Sequence, residues 1–164
     1  MLKIFTSACL LLAASVHAAP PPDLLPVRQI SLELAHDIAM QALQTCRKQG
    51  FSVSAVILDR GGNIQVALRD TLAPRYTLEI AERKAGMALM AGTDTGSLRA
   101  DRADIRPELN HIGGLIVMEG GVPIRSAGSL VGSVGVSGAP GGDKDAACAN
   151  TALKAMEERL ELAP

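Results

Sequence analysis

Apolar residues recur at helical spacing from Leu34 through Ala35, Ile38, Ala39 and Ala42 to Cys46, behind a Ser31 cap and ahead of Gly50. That period predicts an amphipathic first helix whose stripe faces a core. His36 falls opposite the stripe and is expected to be exposed. The pattern then changes to short β-branched runs. Phe51–Leu58 and Ile64–Leu68 read as strands joined by the turn Asp59-Arg60-Gly61-Gly62-Asn63, a β-hairpin. Ala73-Pro74-Arg75 breaks the chain, and Thr77 caps a second helix over Leu78–Ala91, closed by Gly92. Asp94–Leu109 is polar and irregular, with room for one short helix and an interruption at Pro107. Two glycine pairs, Gly113-Gly114 and Gly120-Gly121, bracket a further strand, Leu115–Met118. Ser126-Ala127-Gly128-Ser129 is a hairpin turn leading into a buried strand, Leu130–Val136. A last helix over Lys144–Leu160 carries Ala146, Ala149, Leu153, Met156 and Leu160 on one stripe.

Strands in hairpins rather than crossovers predict one antiparallel sheet covered by helices, an α+β single layer. Five strands are expected, with the first and last helices on the same face. The loop Gly138-Ala139-Pro140-Gly141-Gly142 opens directly into the last helix. Its backbone N–H groups, at Gly138, Gly141 and Gly142 above all, can cradle an anion. The alternative is that the glycines serve only tight strand pairing.

A chain of 164 residues suits one domain. Residues 1–18 have the organisation of a secretory signal. Lys3 is the positive start, Ile4–Ala14 an apolar stretch too short to span a bilayer comfortably, and Val16-His17-Ala18 a cleavage site. Residues 19–30 are a proline-rich arm, and 31–164 the domain proper. The expected location is periplasmic or secreted, with no membrane span once the signal is gone. Removing it leaves 15 basic against 17 acidic side chains, a formal charge of −2, which gives no reason to expect a nucleic-acid partner. Two histidines remain, His36 and His111, and two aromatics, Phe51 and Tyr76. Two cysteines also remain, Cys46 and Cys148, in a compartment where disulfides persist. If the strands after Cys46 and before Cys148 are antiparallel neighbours, the two helix ends meet on one face and a bridge can form. The alternative is a pair of small buried hydrophobes.

No conventional catalytic arrangement emerges. Ser137 sits in Gly135-Val136-Ser137-Gly138, which lacks the G-x-S-x-G spacing of a nucleophile elbow. The glycine loop lacks a Walker Lys-Ser/Thr pair, the cysteines are not C-x-x-C, and two histidines are too few for a usual zinc site. Glu79 and Glu82 stand three residues apart on the second helix and can offer oxygens to a hard cation such as iron. They equally suit a solvated face beside Arg83 and Lys84.

Several motifs occur in a set order: Asp59-x-Gly61-Gly62, Arg69-Asp70, Lys84-Ala85, Gly120-Gly121-Val122-Pro123 and Gly132-x-x-Gly135-Val136-Ser137-Gly138, followed by Asp145 and a final helix. Over roughly Leu32–Leu160 the chain resembles the GlcG/HbpS family of haem-binding-type proteins. The resemblance implies a profilin-like α+β fold, homo-oligomers, and binding of haem or a related tetrapyrrole in some members. It also adds weight to iron binding by the Glu79–Glu82 pair. The chain departs from the family pattern at Gly86-Met87, where a Tyr-Thr pair often follows Lys-Ala. In this light His36 and His111 become candidate haem-iron ligands, Tyr76 an oxygen-ligand candidate, and Arg69, Arg75 and Lys84 candidate propionate partners. With so few aromatics, a deep enclosed haem pocket is not expected. The leading expectation is an exported haem or tetrapyrrole carrier, scavenger or sensor. The alternatives are an enzyme acting on a small carboxylated substrate of the glycolate type, which the family's association suggests, and a structural oligomer-forming module.

Overall fold

The computed structural model describes residues 23–161. The predicted leader, the first residues of the arm and residues 162–164 lie outside the described residues. Helix α1 (Leu32–Lys48) starts where the sequence places it. The Ser31 hydroxyl accepts a hydrogen bond from the Leu34 N–H at 3.2 Å, and Arg47 and Lys48 complement the helix dipole in the last turn. Strands β1 (Ser54–Asp59) and β2 (Ile64–Arg69) form the expected hairpin. The Asp59 carboxylate accepts from the Asn63 N–H at 2.9 Å, which pins the turn.

Helix α2 (Tyr76–Ala91) begins earlier than expected, and the Thr77 hydroxyl does not cap it. That hydroxyl donates to the Pro74 carbonyl at 2.7 Å and accepts from Ser54 Oγ at 2.7 Å, tying the helix start to β1. Gly92 ends α2 in the left-handed region. The polar segment holds two short helices, α3 (Thr95–Asp101) and α4 (Arg106–Leu109), with Asp94 capping the first. Strands β3 (Gly121–Ser126) and β4 (Ser129–Ser137) are joined by Ala127 and Gly128, both at positive φ, as a two-residue hairpin loop requires. The last helical stretch is split at Met156 into α5 (Gly142–Ala155) and α6 (Glu157–Glu161). The turn between them lets α6 bury Leu160, whose carbonyl accepts the Ser126 hydroxyl beneath it.

The sheet has four strands in the order β2–β1–β4–β3, every neighbouring pair antiparallel. The expectation of five was wrong, and the missing strand is Leu115–Met118. Its donors go elsewhere: Leu115 N–H to the Ile112 carbonyl, Ile116 N–H to the Arg83 carbonyl of α2, and Val117 N–H to Asn110 Oδ1 at 2.7 Å. No ladder partner remains, so the segment lies along α2 as irregular chain. Gly86 permits this approach, since a Cβ there would come within 3.0 Å of the Gly114 carbonyl oxygen.

β1 and β4 form the central pair, in register from Ser54 opposite Ser137 to Asp59 opposite Gly132. On one face Ala55, Ile57, Val134 and Val136 meet the stripes of α1 and α5, including Ile38, Ala42, Ala149 and Ala152. On the other, α2 rides almost directly on the strand backbones. Ala81 and Ala85 pack on Val56 and Leu58, and any Cβ at Gly135 would overlap the Ala81 carbonyl. Glycine in β4 is therefore a requirement of close approach.

The two cysteines lie on the α1–α5 face and are bonded to each other, with Cα atoms 5.6 Å apart and both residues fully buried. The antiparallel β1–β4 pair brings the end of α1 beside the first turns of α5, the arrangement the bridge needs.

Candidate functional site

Between α2 and α5 lies an ion pair sealed from solvent. Lys84 is 2 % exposed, and its Nζ donates to Asp145 Oδ2 at 2.8 Å and to the Val136 carbonyl at 3.1 Å. Asp145 Oδ1 accepts the Ala139 N–H at 3.0 Å, and the Gly138 N–H also bonds this carboxylate. Burial pushes the Asp145 carboxyl above its ordinary range, against the opposing pull of the Lys84 ammonium and these hydrogen bonds. Gly120 is adjacent, and a Cβ there would stand 2.9 Å from both Lys84 Nζ and Asp145 Cβ. The pair thus joins α2, the end of β4, the glycine loop and α5.

Two sequence candidates are placed by this pair. In the Gly138–Gly142 loop the Gly138 and Ala139 N–H groups bond the chain's own Asp145 carboxylate. Gly141 and Gly142 complete the loop, with the Gly141 N–H donating to Ala139 and its carbonyl accepting from Lys144 and Asp145. Lys84, taken from the sequence as a surface propionate partner, is instead interior and fully engaged. Its ammonium reaches Asp145 beside Gly120, where the absent Cβ leaves room for it.

Immediately outside this pair is a groove of about 350 Å³ lined by Arg99, Arg106, Asn110, Val117, Met118, Glu119 and Gly142. Each element contributes through a defined contact. Thr95 at the start of α3 hydrogen-bonds both the N–H and the carbonyl of Gly121, fixing α3 to the head of β3. Asn110, after α4, holds Val117 through its side chain. Gly142 lies so close to Glu119 that a Cβ would meet its carbonyl at 2.6 Å. Of the three arginines in this segment, Arg102 is paired with Asp104 at 3.2 Å. Among the described residues no carboxylate pairs with Arg99 or Arg106, and neither guanidinium makes a hydrogen bond. Chemically, the groove offers one exposed apolar side chain, Met118, beside a buried Val117, and two guanidiniums with no carboxylate partner among the described residues.

The other candidates are dispersed. His36 is exposed on α1, 3.5 Å from Asp37, which is itself bound by Arg159 at 2.6 Å. His111 is exposed just beyond α4, its N–H held by the Glu108 carbonyl. Tyr76 is exposed, with the Arg75 guanidinium 4.8 Å above its ring. Arg69 is spent on carbonyls of its own turn, at Asp70, Thr71 and Ala73. Asp70 is bound by Arg47, which holds its carboxyl below the usual range. Glu79 lies 3.7 Å from Arg83, while Glu82 has no such partner among the described residues. No group of three or more His, Cys, Asp or Glu side chains able to hold a metal occurs among the described residues. None of these helices is long and apolar enough to cross a membrane.

The sequence reading missed Arg99, Arg106 and Met118. The arginines stand seven residues apart in a polar stretch, a signal that spacing alone does not separate from a solvated surface.

A family model described as haem degrading protein HbpS-like matches residues 30–154. Among solved structures, Streptomyces reticuli HbpS, crystallised with two glutamates three residues apart changed to aspartate, is 34% identical. That match covers 88% of this chain and 98% of the other, with a TM-score of 0.77. The PduOC:haem complex is 26% identical over 78% of this chain and 95% of that one, with a TM-score of 0.69. Klebsiella pneumoniae OrfY, 23% identical over 85% of this chain and 98% of its own, shares the fold with a TM-score of 0.77. No curated protein matches the chain.

Proposed function

The chain belongs to the HbpS-like family, and on that premise we propose that it binds haem or a related tetrapyrrole in the groove beside α3 and α4. One observation carries the reading. The groove sets the exposed Met118, beside a buried Val117, near two guanidiniums, Arg99 and Arg106, that have no carboxylate partner among the described residues. Haem is amphipathic in the same sense, an apolar macrocycle with two propionates, and Arg binds carboxylates bidentately. The lining contains no aromatic residue, so the ligand is held shallowly or shared with a second subunit of a homo-oligomer. When bound, haem supplies a redox-active iron, while the chain's own contribution is binding, orientation and exclusion of water. The predicted leader adds export to the periplasm or beyond, in a carrier, scavenger or sensor role, and His111 at the end of α4 stands beside the groove-lining Asn110.

Titration of the mature protein with haemin, followed by absorption spectroscopy, tests this. Replacing Arg99 and Arg106 together with glutamine removes two charge-assisted contacts, each worth about 1.5–3 kcal/mol, so affinity falls at least tenfold. Equal affinity in wild type and the double variant would move the ligand away from this groove.

Iron is a separate part of the proposal. Glu79 and Glu82 supply at most two side-chain ligands, so any ferric ion they hold also needs water or a second subunit. The Glu79→Gln/Glu82→Gln variant then loses ferric binding while keeping its unfolding midpoint. Unchanged ferric affinity would return both carboxylates to the solvated helix face.

A further inference from the structure

We propose that the α3–α4 groove reads its ligand through two carboxylates and makes no bond to the metal, so that an iron-free tetrapyrrole binds there as tightly as haem; this rests on the haem reading above. Haem iron is held by imidazole, thiolate, thioether or phenolate side chains, and the groove lining holds no His, Cys or Tyr. His36, His111 and Tyr76 are exposed outside it, and Cys46 and Cys148 are bonded to each other in the core. Met118 is one of several exposed large hydrophobic side chains, Met90 among them, so its exposure assigns it no role beyond apolar contact.

What the lining does supply is hydrogen-bond donors. Arg99 and Arg106 stand there with no carboxylate partner among the described residues. Asn110 Oδ1 accepts the Val117 N–H at 2.7 Å, which fixes the amide's orientation and leaves its NH2 group as a further donor. Glu119 is the one acid on the lining, and its carboxylate reaches over the first turn of α3, where a Cβ at Gly96 would stand 3.0 Å from its Oε1. Two cations against one anion leave the groove positive, and a guanidinium fork matches carboxylate geometry. Size points the same way. The groove's volume of about 350 Å³ lies near the lower end of the ~300–1,000 Å³ spanned by small-molecule sites. Both propionates of haem leave one edge of the macrocycle, whereas the iron sits at its centre. A groove of this size takes in that edge and leaves the metal outside. The ligand class is therefore a dicarboxylic tetrapyrrole, with or without iron.

The test titrates the mature protein with haemin, with iron-free protoporphyrin IX and with the dimethyl ester of each, followed by absorption at concentrations where the porphyrins are monomeric. Haemin and protoporphyrin are expected to agree within about threefold, and esterification to cost each about tenfold or more, since it removes the charge that the guanidiniums recognise. In Arg99→Gln/Arg106→Gln, acid and ester are expected to bind alike. Haemin binding about tenfold or more tightly than protoporphyrin would reveal a bond to iron and overturn the inference, while leaving haem binding itself standing. Esters that match the acids in wild type, or an acid preference that survives in the double variant, would equally overturn it. A protein that takes up none of these porphyrins would bring down the haem reading and this inference with it.

Discussion

Lys84→Met lowers the unfolding free energy by about 3–5 kcal/mol at neutral pH, the usual cost of leaving one partner of a buried pair behind. The methionine fills much the same volume, so the loss comes from Asp145, which stays 3% exposed with one oxygen stripped of its ammonium partner. The effect depends on pH in a definite direction. Burial already raises the Asp145 carboxyl above the ordinary aspartate range, and Lys84 opposes that rise. Removing Lys84 raises it further. A carboxyl raised on folding binds its proton more tightly in the native state, so its contribution to stability is fully present below the ordinary range and lost as pH rises through the folded value. The Lys84→Met penalty therefore shrinks on acidification towards the ordinary aspartate range, where Asp145 is neutral and needs no cation. Urea unfolding of wild type and variant across pH measures this directly. A pH-independent difference would mean that lost packing dominates. Lys84→Met/Asp145→Asn is expected to recover much of the loss, because the neutral amide keeps an oxygen for the Ala139 N–H and leaves no charge unpaired.

Reduction of Cys46–Cys148 is the second large effect. The bridge closes a loop with a sequence separation of 102, for which the chain-entropy relation gives about 4.7 kcal/mol at 25 °C. That is a large share of a typical domain stability of about 5–15 kcal/mol. Both cysteines are fully buried, so a reductant reaches the bond only after the α1–α5 contact opens. Urea unfolding with and without a strong reductant is expected to show a midpoint shift in that range, with reduction slow under native conditions. Thiol titration of unreduced, unfolded mature protein, which lacks Cys9, supplies the control: two free thiols would exclude the bridge.

Periodicity made the architecture legible, since α1, the first hairpin and β4 follow from local pattern and turn chemistry. The bridge was legible too, because antiparallel β1 and β4 bring two helix ends together whatever the loops do. Leu115–Met118 was not. Its composition is strand-like, yet its fate depends on Gly86, far earlier in the chain, through a contact with α2 that only the fold supplies. Lys84 misled for a related reason. A lysine beside two glutamates and an arginine reads as surface, and its burial rests on a carboxylate 61 residues later. The groove was least visible, because Arg99, Arg106 and Met118 come from segments that carry no motif and meet only where α3 is fastened to β3.

Among the described residues the one disulfide sits wholly on the α1–α5 side of the sheet, while α2, α3 and the Gly113–Glu119 segment are held by packing, hydrogen bonds and the Lys84–Asp145 ion pair. Local opening is therefore uneven. Amide exchange in α1 and β1 should approach the global limit, whereas the groove-side loops open in smaller steps at lower cost. A fold built this way can open along the edge that carries the proposed groove while the clamped half stays intact.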